Sequence, residues 1–84
     1  RYSNFKGVAI GYNPTPADAN AITSVEYKVS NTLQFEIDSN GNLKLTNTGA
    51  ASLRKSVATT VTVTVTNADG SSATASFDFT LTRA

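Results

Sequence analysis

Apolar and polar residues alternate with a period of two along most of this chain, the mark of strands with one buried face. Val8, Ile10 and Tyr12 share one side of "GVAIGY", and Val25, Tyr27 and Val29 share one side of "AITSVEYKVS" with Glu26 and Lys28 opposite. In "LQFEID", Leu33, Phe35 and Ile37 alternate with Gln34, Glu36 and Asp38, and "NLKLT" adds Leu43 and Leu45. The last third is the most regular: Val57, Val61, Val63 and Val65, then Ala73, Ala75, Phe77, Phe79 and Leu81, interleaved with Thr and Ser. No window carries a convincing helical period. Between the runs lie "NPTPADAN", "SNG", "NTGAASLRK" and "NADGS", all rich in turn formers.

Two hairpins can be set in register from these faces. Residues that oppose one another must share a side of the sheet, so Ile37 is expected opposite Leu43 and Phe35 opposite Leu45. A two-residue turn would place Ile37 opposite Lys44; a three-residue loop, Ser39-Asn40-Gly41, avoids this and wants a left-handed residue at its third position, where Gly41 stands. The same register sets Glu36 against Lys44 as an exposed cross-strand pair. The last hairpin follows the same logic, with Val65 opposite Ala73, Val61 opposite Phe77, and Ala68-Asp69-Gly70 as the loop. Thr60, Thr62, Thr64 and Thr66 then run antiparallel to Asp78, Ser76, Thr74 and Ser72. A Thr and Ser face of this kind reads as a solvated strand surface, because Thr combines β-branching with a polar tip and a twisted sheet does not hold a flat lattice of hydroxyls.

These elements predict an all-β fold, an antiparallel Greek-key sandwich of about seven strands if "RYSNF" pairs at an edge. Residues 1–84 are too few for more than one domain. The start at Arg1 reads as a module excised from a longer chain. With neither Cys nor His, disulfides, thiolate or imidazole catalysis and the usual transition-metal ligands are excluded. The net charge of +1, with basic residues scattered, gives no electrostatic footprint for nucleic acid, and no apolar run is long enough for membrane insertion.

The stretch "LQFEIDSNGNLKLTN", followed by "VTVTVTNADGSSATASFDFTLT", resembles the second half of bacterial cadherin-like and immunoglobulin-like surface repeats, and "SVEYKVS" is similar to the strand that precedes them there. The likeness covers roughly residues 22 to 82. It implies a module found in tandem on exported bacterial or phage proteins, extracellular or at the cell surface, with neighbouring domains of the same chain as partners and glycans or another cell-surface protein as further candidates. Cadherin repeats also bind calcium between domains through acidic residues. This chain departs from them, with Asn67 where a cadherin carries Asp and no acidic residue in "AASLRKSV".

Few residues invite chemistry. "DSNGN" places Asp38, Asn40 and Asn42 at alternate positions like calcium ligands, but Gly comes fourth and Gly49 stands where an EF-hand needs Glu, so a structural turn is expected. Calcium is the one candidate ion, with Asp18, Asn67 and Asp69 as ligands should their loops meet; no other cofactor is implied. Glu36 and Asp38 sit on solvent-facing positions with no apolar pocket to raise a pKa, and no enzyme is expected. Tyr2 and Tyr12 are candidates for stacking on sugars if exposed. The sequence therefore points to a non-catalytic spacer or adhesive module, with a carbohydrate-binding accessory domain of a polysaccharide-degrading enzyme as the alternative and self-association through an uncovered edge strand as a third possibility.

Overall fold

The computed structural model describes residues 2, 4–11, 14 and 21–83. Six strands are present among them: β1 (Val8–Ala9), β2 (Ile22–Val29), β3 (Phe35–Ile37), β4 (Asn42–Leu45), β5 (Ser56–Asn67) and β6 (Ser72–Thr82). They form two three-stranded antiparallel sheets, ordered β1-β4-β3 and β2-β5-β6. The expected edge strand from "RYSNF" is not among them. Tyr2 instead turns its ring into the core and contributes packing.

Both predicted hairpins are found in the predicted register. Ile37 opposes Leu43 and Phe35 opposes Leu45. Val65 opposes Ala73 and Val61 opposes Phe77. Gly41 and Gly70 take the left-handed positions at φ +79° and +88°, where a side chain would be strained. The fully buried Phe35 and Leu43 of one sheet meet Val61, Val63 and Val65 of the other. Phe79 of β6 meets Phe35 edge-on at 6.1 Å between ring centroids, which joins the two layers.

Two local features differ from the period-two pattern. Leu33, written on the apolar side, is 68% exposed and precedes β3. Asn31 takes the chain out of extended geometry: its Oδ1 accepts the Gln34 N–H at 3.1 Å, its carbonyl accepts the Phe35 N–H at 3.1 Å, and its Nδ2 donates to the Ala58 carbonyl at 3.0 Å. Inside the loop "NTGAASLRK", Asn47–Ala50 form one helical turn, α1, capped by the Thr46 hydroxyl accepting from the Gly49 N–H at 3.1 Å. A single capped turn is too short to leave a helical period in the sequence.

The long axis follows the β5–β6 hairpin. The molecule measures 46 × 19 × 18 Å with a radius of gyration of 14.5 Å, against about 12 Å for a compact domain of this length. The turn of the smaller sheet at Gly41 lies against Tyr27, the partner of Val63. Beyond it, Val25 and Ile22 of β2 are each 40% exposed.

Candidate functional site

At the far end of the long hairpin, the turn brings together two of the three calcium candidates. Asn67 closes β5 and Asp69 stands at the centre of the loop. The Asp69 carboxylate accepts the Ser71 N–H at 2.9 Å and the Ser71 hydroxyl at 2.6 Å. The Ser71 hydroxyl, then its N–H, hold the Asp69 pKa below the ordinary carboxylate value. Asn67 is buried; its Nδ2 donates to Ser71 Oγ at 3.2 Å, while its Oδ1 has no partner among the described residues. The third candidate, Asp18, lies outside the described residues. Among the described residues no three acidic side chains gather about one point.

The "DSNGN" loop is built the same way. Asp38 Oδ1 accepts the N–H groups of Asn40 at 2.9 Å and Asn42 at 3.0 Å, and Oδ2 faces Lys44 Nζ at 3.2 Å. These contacts, the Asn42 N–H foremost, lower the Asp38 pKa to about 2. The carboxylate oxygens thus serve the turn's own donors. Lys44 opposes Glu36 in the expected register, and its ammonium pairs with Asp38, diagonal on the same face and fixed in place by the turn. Both lowered carboxyl groups are ionised at neutral pH, the opposite of a general acid.

Of the two aromatic candidates, Tyr12 lies outside the described residues. Tyr2 is only 5% exposed, and its hydroxyl donates to the Arg54 carbonyl at 2.9 Å. It offers no ring face to a sugar. A buried aromatic standing alone near the chain start carries no periodic signal, which is why the sequence left its role open.

The outer face of β5 and β6 carries hydroxyls bonded to one another across the strands. Thr60 Oγ1 donates to Asp78 Oδ1 at 2.9 Å, Thr62 meets Ser76 at 3.0 Å, and Thr64 meets Thr74 at 3.2 Å. Glu26 and Lys28 of β2 continue this face opposite Thr64 and Thr62. Cross-strand pairs of this kind stabilise the ladder that carries them.

The ends of the molecule are not alike. Tyr2 N–H donates to the Ala50 carbonyl at 3.0 Å and Arg83 N–H to the Lys55 carbonyl at 2.9 Å, so both residues are tied to the segment that leads into β5. The turn at 68–70 stands at the opposite end of β5, whose twelve residues span roughly 36 Å as an extended strand. No family model, curated protein or solved structure matches this chain. The resemblance to cadherin-like and immunoglobulin-like repeats therefore rests on the strand-and-turn pattern. Among the described residues, no helix is long and apolar enough to cross a membrane.

Proposed function

We propose that this chain is a non-catalytic adhesive module of an exported bacterial or phage surface protein, held by one end and presenting its far turn. The carrying observation is the common location of Tyr2 and Arg83, with the Ala68-Asp69-Gly70 turn at the other end of the long hairpin. Tyr2 and Arg83 are both held by the segment that leads into β5, so any chain joined at these two residues attaches at one end of the molecule. The module then projects from its attachment instead of adding its full length in line, which favours display over the spacer role. Tension between the two attachment points would peel β6 from β5 one bond at a time from the Arg83 end, whereas an in-line spacer loads its strands in shear.

The strand orders support the Greek-key reading of the fold. An immunoglobulin-like sandwich has one sheet with B-E-D neighbours and another with C-F-G, and β1-β4-β3 with β2-β5-β6 reproduces that connectivity. Calcium and glycans stay outside this proposal, since Asp69 is occupied within its own turn and Tyr2 is buried.

Stretching the module in a single-molecule instrument, with handles at both chain ends, tests the reading. Unfolding at low force, with gradual peeling, supports display. A high-force, all-at-once rupture returns the spacer role, and micromolar binding on a glycan array favours the carbohydrate-binding alternative.

A further inference from the structure

The two sheets have four edges, and three of them carry a device that discourages pairing. β1 and β3 are only two and three residues long. β2 carries a register shift between Ile22 and Ser24 and presents Lys28. Short strands, bulges and lysines are the usual means of blunting an edge. β6 has none of these: eleven residues, no Pro, no Lys and an unbroken register with β5. Its single charged side chain, Asp78, accepts a hydrogen bond from Thr60 on the β5 side and so is turned away from the edge.

The hydrogen-bond parity shows what that edge offers. Asn67 N–H donates to the Ser71 carbonyl at 2.8 Å and Arg83 N–H to the Lys55 carbonyl at 2.9 Å, at the two ends of the β5–β6 ladder. Bonded and non-bonded pairs alternate in an antiparallel ladder, so the odd residues of β6 bond to β5. The N–H and C=O groups of Ser72, Thr74, Ser76, Asp78, Thr80 and Thr82 then point outward, and among the described residues no strand receives them.

We infer that this edge pairs with β6 of a second copy of the chain, antiparallel about a two-fold axis at Phe77. That is the register of full overlap, and it is self-complementary. It sets Ser76 against Asp78, Thr74 against Thr80 and Ser72 against Thr82, all with outward backbone groups. A shift of the axis to Asp78 would oppose two carboxylates. On the inner face, Phe77 meets its own copy at the axis, and to either side Phe79 meets Ala75 of the second copy and Leu81 meets Ala73, large against small. The methyl of Ala75 leaves room for Phe5, which packs on Phe79 at 6.1 Å between ring centroids. The result is a continuous six-stranded sheet with the hydroxyl face on one side. This pairing goes beyond the display role and stands or falls separately from it.

Sedimentation velocity over a wide concentration range, with amide exchange followed by NMR at both extremes, tests the pairing. The expected result is a doubling of sedimenting mass, with exchange slowed at Thr74, Ser76, Asp78 and Thr80 at high concentration and unchanged at Ala75 and Phe79. Thr80→Pro removes one outward N–H without touching the β5 ladder and is expected to stay monomeric, whereas Val25→Pro on the outer edge of β2 keeps the dimer. A monomer at every concentration overturns the inference, as does concentration-dependent protection that maps to β2. The exchange pattern of the unaltered chain decides the matter even if a proline variant fails to fold.

Discussion

The Tyr2 hydroxyl donates to the Arg54 carbonyl at 2.9 Å, binding the start of the chain to the loop that enters the longest strand. Its ring belongs to the core cluster with Phe35, Leu43 and Val57. Tyr2→Phe keeps the ring and loses the bond, and should cost about 1 kcal/mol in urea unfolding. Tyr2→Ala also empties the ring's site, and about 3 to 5 kcal/mol is expected. Equal losses for the two variants would mean that the hydroxyl, and not the ring, holds this end together.

Gly41 and Gly70 occupy equivalent turn positions but differ in their surroundings. A Cβ at Gly70 meets nothing within 4 Å, whereas at Gly41 it lies 3.1 Å from the Tyr27 hydroxyl oxygen and 3.2 Å from the adjoining ring carbon. Gly70→Ala should therefore cost only the left-handed backbone term of about 1 kcal/mol, and Gly41→Ala distinctly more. Thermal melts of the two variants give the order.

Gly49 has a different constraint. A Cβ there would overlap the Gln34 carbonyl, which is itself the acceptor for the Thr46 N–H at 3.0 Å. The obstacle is backbone and cannot rotate away. Gly49→Ala is expected to destabilise by more than about 2 kcal/mol, in the range of overpacked cores, although Ala is the better helix former.

The orphaned Asn67 Oδ1 predicts an unusual outcome. Asn67→Val removes a buried acceptor that has no partner among the described residues, and the one side-chain bond it loses among them is to Ser71 Oγ, which still donates to Asp69. Stability should change by less than about 1 kcal/mol despite loss of a buried polar residue. A large loss in chemical denaturation would show that Oδ1 is satisfied in solution.

Asp38 gives the pH dependence. Its folded pKa is lowered from 3.8 to about 2, so the folded state binds its proton less readily than the unfolded chain does. The stabilisation is present above pH 3.8 and is lost as pH falls toward 2. Melting temperature measured across that interval should fall for the unaltered protein and fall less steeply for Asp38→Asn.

Both hairpin loops and their registers were legible because a one-residue slip would have set Ile37 against Lys44 in one hairpin, or Val61 against Ser76 or Asp78 in the other, leaving one arrangement. The cross-strand partners of Thr60, Thr62 and Thr64 followed from the same parity. Alternation puts Leu33 on the apolar side because it cannot reveal that Asn31 hydrogen-bonds locally and ends the extended run. Register places Glu36 opposite Lys44, as found, but does not reveal the diagonal partner, and only the folded turn shows Asp38 held ready for the ammonium. Tyr2 carries no pattern around it. The shared end of Tyr2 and Arg83 depends on how the two sheets stack, which no local pattern encodes.

That shared end is the claim on which the display role depends, and it can be measured directly because the chain contains no cysteine. Spin labels on Asn4→Cys with Arg83→Cys, and on Ala68→Cys with Arg83→Cys, report the two spans by pulsed electron resonance. The first distance should be clearly the shorter, with the second near the roughly 36 Å length of β5. Equal distances, or a longer span between Asn4 and Arg83, would contradict the account.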